Sequence, residues 1–74
     1  MMTGVAVVEP AMRLDDEDVE LVRLLAEGLV LDAIARRLSI SERTLRRRIR
    51  SLCDRLGVDT PVQAVVWAAH NGVV

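Results

Sequence analysis

The sequence has one cysteine, one histidine and one aromatic residue, and these scarcities exclude several kinds of site. Cys53 has no second cysteine for an internal disulfide, and with His70 as the only histidine there is no zinc-binding set. There is also no nucleophile paired with a base at motif spacing and no glycine loop that would cradle a phosphate. We therefore predict that the protein is not an enzyme and has no catalytic residue, metal site, cofactor or small-molecule ligand.

Long apolar runs are absent as well. No apolar stretch approaches the roughly 18 residues that span a bilayer, and the N-terminus lacks the basic region and apolar core of a signal peptide. These absences predict a cytoplasmic protein with no membrane contact. With Trp67 as its sole aromatic residue and 51% hydrophobic residues, the 74-residue chain has the composition of one small domain with an aliphatic helical core. So small a domain buries only about 60% of its unfolded surface, and dimerisation would add to that.

Lysine is absent, so every strongly basic residue is an arginine. The net charge of −1 alone argues against a nucleic-acid partner, but the charges are segregated along the chain. Residues 9–32 contain eight acidic residues and two arginines, whereas residues 36–55 contain eight arginines and two acidic residues. We therefore expect an electric dipole whose positive end lies within residues 36–55.

The segment from Ser41 to Leu56 has the pattern of a single amphipathic helix. At about 100° per residue, its four large apolar side chains fall within about 40° of one line, and these are Leu45, Ile49, Leu52 and Leu56. Four arginines lie on the opposite side, and these are Arg43, Arg46, Arg47 and Arg50. Ser41 is placed to cap the first turn, and Gly57 marks the end. One face is predicted to join a core, and the other is suited to an anion.

The rest of the chain predicts three further helices, and hence an all-α fold. Asp15 and Asp18 form a capping-box pattern at the start of the first helix, and Pro61 suits the first position of the last one. The predicted helices cover residues of about 15–27, 31–38, 42–56 and 61–71, after a flexible arm of residues 1–13. Only Ser39, Ile40 and Ser41 separate the second helix from the third, which is the spacing of a helix-turn-helix motif.

Residues 14–74 resemble the LuxR/NarL-type (GerE-type) DNA-binding domain of bacterial transcription regulators. The resemblance is spread over all four predicted helices, and it is carried by the segments Arg23–Leu29, Ile34–Leu38, Ile40–Leu45, Arg55–Val58 and Gln63–Gly72. It implies a four-helix helix-turn-helix domain that binds double-stranded DNA and regulates transcription. In this family the third helix enters the major groove, and the fourth pairs with its two-fold mate in a homodimer. Some members consist of this domain alone, and this chain looks like one of them or like a shortened form of a longer regulator.

The resemblance also implies roles for individual residues. Base contacts are expected from Arg46, Arg47 and Arg50, because a guanidinium group can donate two hydrogen bonds to one guanine. Phosphate contacts are expected from Thr44, Arg48 and Arg55, with Ser41 and Arg43 as further candidates. The expected dimer interface on the fourth helix consists of Val62, Val65, Val66, Trp67 and Ala69.

The chain departs from the family pattern at the start of the second helix. Where the family has a capping residue and a phosphate-contacting lysine, this sequence has Val30, Leu31 and Asp32. Two exposed aliphatic residues and an acid suggest a protein contact or a local repacking at this place. The alternative function is therefore a protein-interaction module of the same fold that modulates another transcription regulator or RNA polymerase. A sigma-factor region 4 module is a related alternative, which the match at Leu56–Val58 and in the fourth helix disfavours.

Overall fold

The computed structural model describes residues 14–74, and within them all regular structure is helical. The four helices are α1 (Asp16–Ala26), α2 (Leu31–Leu38), α3 (Glu42–Leu56) and α4 (Pro61–His70). The predicted all-α, four-helix architecture is confirmed, and each predicted helix agrees with the observed one to within one residue at either end. The predicted flexible arm, residues 1–13, lies outside the described residues.

Three of the four helices begin with a side-chain cap. The Asp15 carboxylate accepts a hydrogen bond from the Asp18 backbone N–H at 2.9 Å, and Asp18 completes the predicted capping box on α1. The Ser41 hydroxyl accepts the Thr44 N–H at 3.0 Å at the start of α3, and Thr60 with Gln63 forms a capping box on α4. By contrast Val30, the residue before α2, provides no side-chain cap. The family's capping residue is therefore missing in structure as well as in sequence.

The turn between α2 and α3 is closed by backbone geometry. Ser39 adopts a left-handed conformation with φ 59° and ψ 42°, which non-glycine residues seldom do. The backbone N–H of Ile40 reaches the Ala35 carbonyl at 3.0 Å, so the turn satisfies the last carbonyl groups of α2. Gly57 closes α3 in the same way, with φ 74°. These two turns set the direction of α3 relative to the helices before and after it.

The core is a single aliphatic cluster that all four helices share. Its most completely buried large side chains are Leu21, Val22, Ile34, Leu45 and Leu52. From α4 the buried residues are Ala64 and Ala68, whose small side chains let α4 approach α1 and α3 closely. The consequence is that α3 is held along one side only, and its other side remains on the surface.

Within residues 14–74, no helix is long and apolar enough to cross a lipid bilayer.

Candidate nucleic-acid interface

The core holds α3 by one stripe and leaves its arginines on the surface. Leu45, Ile49 and Leu52 are buried, and the four arginines on the opposite side, Arg43, Arg46, Arg47 and Arg50, are exposed. The helix is thus anchored as its apolar pattern predicts, and four guanidinium groups project from about two turns of one exposed face. We call the surface formed by Arg43, Arg46, Arg47 and Arg50 the arginine face.

Only one arginine of the arginine face has a counter-charge within the described residues. Among the described residues 14–74, Arg43, Arg47 and Arg50 form no ion pair. Arg46 lies 3.8 Å from the Glu42 carboxylate, one turn earlier on α3. Since both side chains are exposed, this pair is weak and Arg46 remains able to exchange Glu42 for another anion.

One flank of α3 is tied to α1 by two ion pairs. Arg48, which is half-buried, lies 3.6 Å from the carboxylate of Glu17. Further along, the Arg55 guanidinium donates two hydrogen bonds to the two carboxylate oxygens of Asp18, one of them at 2.9 Å. Asp18 is buried at 8% exposure, whereas 39% of the Arg55 side chain remains accessible. The acidic N-terminus of α1 therefore faces two of the residues predicted to contact phosphate.

The pair between Asp18 and Arg55 extends into the α1 cap. The hydrogen bonds that Arg55 donates to the Asp18 carboxylate raise the pKa of Arg55 above its ordinary value. At Asp15 the pKa is lowered, mainly because the backbone N–H of Asp18 donates to its carboxylate, with a smaller contribution from the positive charge of Arg55. A charged cap, a buried carboxylate and a guanidinium thus form one network at the α1–α3 contact.

The two uncharged residues predicted to contact phosphate lie together at the start of α3. The Ser41 hydroxyl donates to the Thr44 hydroxyl oxygen at 3.0 Å, while its own oxygen caps the helix. Thr44 keeps its hydroxyl hydrogen available for an acceptor outside the domain. The structure places both on the surface at the N-terminal end of the arginine face.

The other flank of α3 borders a shallow concavity near the start of α4. Its lining is mixed in charge and consists of Arg46, Ile49, Arg50, Cys53, Asp54, Val58, Asp59 and Pro61. Cys53 is buried, and burial raises the pKa of its thiol, with further contributions from the negative charges of Asp54 and Asp59. A neutral, buried thiol has no nucleophilic role here.

At the start of α2 the chain departs from the family pattern at three residues, and the structure places each of them differently. Val30 is 69% exposed, whereas Leu31 is partly buried against the core, so the expectation of two exposed aliphatic residues is correct only for Val30. Asp32 lies 3.3 Å from Arg36 in an exposed pair on α2. Its negative charge is therefore partly offset by its own helix.

An apolar stripe runs along the outer side of α4. Val62 is 72% exposed and Val66 51% exposed, with Ala69 also exposed and Val65 half-buried beside them. Trp67, which was expected in the dimer interface with these residues, is partly buried and packs against the core. The remaining four follow the spacing i, i+3, i+4 and i+7 of one helix face.

Sequence reasoning missed the carboxylates that face the arginines. Asp18 was recognised only as a cap residue, and neither Glu17 nor Glu42 was assigned a partner. The i, i+4 spacing of Glu42 and Arg46 is a sequence signal that predicts their pair. The pairs between α1 and α3 have no such signal, because their partners lie far apart in the chain.

Within residues 14–74, no three histidine, cysteine or acidic side chains lie close enough together to hold a metal ion.

Comparison of the sequence with known proteins places the chain among bacterial transcription regulators. The family model for bacterial regulatory proteins of the luxR family matches residues 13–68. Transcriptional regulatory protein YdfI of Bacillus subtilis is 34% identical over 62 residues, which is 84% of this chain and 29% of that protein. The bialaphos biosynthetic pathway regulatory protein of Streptomyces hygroscopicus is 46% identical over 60 residues, 81% of this chain and 23% of that protein.

A third relative is the DNA-binding transcriptional activator DevR/DosR of Mycobacterium tuberculosis. It is 35% identical over 62 residues, 84% of this chain and 29% of that protein. The chain thus spans less than a third of the length of each of these relatives. No solved structure gives a significant match to it.

Proposed function

Because the chain belongs to the luxR family of bacterial regulatory proteins, we propose that it binds double-stranded DNA sequence-specifically as a homodimer and regulates transcription, with α3 in the major groove. The family is one of DNA-binding transcription regulators and not of enzymes. One relative is named as a DNA-binding transcriptional activator, which supports the same activity here.

The observation that carries the proposal is the arginine face. A major groove admits one α-helix, and α3 offers it a surface on which Arg43, Arg47 and Arg50 form no ion pair within residues 14–74. Arg46, Arg47 and Arg50 are the proposed base contacts. The proposed phosphate contacts surround them and are Ser41, Arg43, Thr44, Arg48 and Arg55.

The two flanking arginines add a condition to this assignment. Arg48 and Arg55 already face Glu17 and Asp18, respectively. Arg48 pairs with the exposed carboxylate of Glu17 and can exchange it for phosphate, whereas Arg55 is held by two hydrogen bonds to a buried carboxylate. We therefore propose that Arg55 contacts a phosphate while it keeps its hydrogen bonds to Asp18.

Dimerisation is proposed through the exposed stripe of α4, formed by Val62, Val65, Val66 and Ala69. A two-fold axis beside α4 would pack this stripe against its own copy, as an isologous interface requires. Trp67 supports the interface from the core side. Such a dimer presents two α3 helices, and thus predicts a target with two half-sites.

The experiment that tests the proposal is a binding titration with a duplex selected by the protein from genomic DNA. We expect the logarithm of the affinity to fall linearly with the logarithm of the salt concentration, with a slope of about −0.9 per phosphate neutralised. Arg47→Ala and Arg50→Ala are each expected to cost about 1–3 kcal/mol and to relax sequence preference. Unchanged binding after substitution of Arg46, Arg47 and Arg50 together would show that these are not the base contacts.

A second candidate function rests on Val30. This side chain is 69% exposed at the start of α2, where the family has a polar cap, and it fits a contact with RNA polymerase or another regulator. Val30→Ser is the matched variant, because it changes an exposed side chain without touching the core. This candidate is supported if Val30→Ser abolishes binding to purified bacterial RNA polymerase while DNA affinity stays unchanged. It fails if the wild-type protein does not bind the polymerase.

A further inference from the structure

The arginine face of α3 ends in a carboxylate. Asp54 lies one helical turn beyond Arg50 and, at about 100° per residue, within about 20° of the direction of Arg43. It is exposed, and it lines the same concavity as Arg46 and Arg50. An acidic side chain therefore lies on the surface that the proposed function turns toward DNA.

Helix stability does not account for an acid at this position. Asp54 is in the last turn of α3, where the negative end of the helix dipole disfavours another negative charge. Within residues 14–74 it has neither an ion pair nor a side-chain hydrogen bond that would offset this cost.

Asp59 adds a second negative charge on the opposite wall of the concavity. It precedes the Thr60 cap of α4, where a negative charge is favourable to the helix dipole, so its position has a local explanation. Both carboxylates lie near enough to Cys53 to raise the pKa of its thiol. The C-terminal end of the arginine face is thus bordered by two acids.

We propose that Asp54 is a specificity-determining residue, which weakens the attraction of the arginine face for DNA of arbitrary sequence more than for the target sequence. The inference rests on the proposed DNA binding and deepens it. Non-specific binding depends almost entirely on phosphate attraction, so a carboxylate on the binding surface opposes it directly. In the specific complex, base contacts by Arg46, Arg47 and Arg50 fix one orientation of α3, and we infer that this orientation holds Asp54 farther from the phosphates than the orientations sampled on other sequences.

The physical principle is that specificity is a difference between two affinities. A repulsive element that acts mainly on the wrong partner raises this difference without any new favourable contact. A chain with five arginines between residues 43 and 50 has particular need of one, because its phosphate attraction is independent of sequence.

The test compares Asp54→Asn with the wild-type protein on two duplexes, the one selected from genomic DNA and one of unrelated sequence. We expect Asp54→Asn to bind the unrelated duplex about threefold to tenfold more tightly, which is the scale of one charge facing phosphates across water. The affinity for the selected duplex is expected to rise less. The ratio of the affinity for the selected duplex to that for the unrelated duplex therefore falls by about threefold or more. Asp54→Arg is expected to lower that ratio further.

Glu20→Gln is the matched control, since it removes one carboxylate from an exposed position on α1. Glu20 borders a different concavity, whose lining contains no residue of α3. At about 0.15 M salt, where charges are screened beyond about 8 Å, this variant is expected to bind both duplexes as the wild type does. The thermal unfolding midpoint of Asp54→Asn is expected to equal or exceed that of the wild type, which separates the effect from a loss of folding.

Three results would overturn the inference while leaving DNA binding intact. They are an unchanged affinity of Asp54→Asn for the unrelated duplex, an equal gain on both duplexes, and a loss of affinity for the selected duplex, which would make Asp54 a base contact. If the wild-type protein binds neither duplex, the proposed function fails and this inference fails with it.

Discussion

Asp18 on α1 and Arg55 on α3, 37 residues apart in the chain, are joined by two hydrogen bonds between one carboxylate and one guanidinium group. The same carboxylate completes the α1 capping box, with the Asp15 backbone N–H at 3.4 Å from it. One buried acid therefore fixes both the start of α1 and the orientation of the C-terminal part of α3. Asp18 therefore contributes both to the stability of the domain and to the placement of the arginine face.

Replacing Asp18 with asparagine is expected to destabilise the domain by about 1–3 kcal/mol. The variant loses a hydrogen-bonded charge pair whose acidic partner is buried, and it leaves Arg55 without its counter-charge. Urea denaturation followed by circular dichroism measures the change in the free energy of unfolding. Asp16→Asn, an exposed acid in the same turn, is the control. If the two variants lose the same amount, the pair with Arg55 does not contribute measurably.

Substitution of Arg55 tests whether the pair between Asp18 and Arg55 also contributes to DNA binding. If Arg55 contacts a phosphate, Arg55→Gln reduces the log–log salt slope by about 0.9, because one fewer counterion is released. Asp18→Asn disturbs the same pair but retains the positive charge, so its salt slope is expected to match that of the wild type. The measurement is a titration of each variant with the selected duplex at several salt concentrations. Equal slopes for Arg55→Gln and the wild type would assign Arg55 to structure alone.

The elements that sequence predicted well are those with local causes. Asp15, Ser41 and Thr60 each accept a hydrogen bond from the backbone N–H three residues further along the chain. Gly57 supplies the left-handed conformation that ends α3. Such chemistry depends only on neighbours in the chain, so helix bounds could be predicted to within one residue. The arginine face was predictable for the same reason, since helical periodicity alone separates it from the buried stripe.

The features that sequence did not predict depend on how the helices dock. Nothing near Asp18 in the chain points to Arg55, and its role in the capping box gave it a sufficient local explanation. Trp67 and Val66 are adjacent in a helix apolar on most sides, so periodicity could not decide which of them packs on the core. Val30 and Leu31 were likewise indistinguishable until α2 was placed against the core. The proposed base and phosphate contacts stay predictions.

Two aspartates in the exposed stripe of α4 are expected to prevent pairing of protomers. Val62→Asp with Val66→Asp places charges where the proposed interface would bury apolar side chains, and a buried unpaired charge is strongly unfavourable. We expect one protomer instead of two on a duplex with two half-sites, as measured by sedimentation. Val30→Asp is the control, because it puts one such charge at a similarly exposed valine, the residue that precedes α2. A dimer that persists in the double variant would place the interface elsewhere.

Acid is expected to weaken the domain partly through Asp15. Hydrogen bonding lowers the pKa of this carboxyl below its ordinary value of 3.8, so its contribution to stability is complete above that value. The contribution is lost as the pH falls through the lower pKa of the folded state, because protonation then favours the unfolded chain.

Asparagine caps a helix about as well as aspartate but does not titrate. Asp15→Asn is therefore expected to lose less stability than the wild type when the pH is lowered from neutrality to below 3.8, as measured by urea midpoints along a pH series. Asp16→Asn is the control, because within residues 14–74 the Asp16 side chain makes no hydrogen bond or ion pair, and its acid dependence is expected to follow the wild type. If Asp15→Asn instead follows the wild-type curve at every pH, the acid sensitivity does not originate at Asp15.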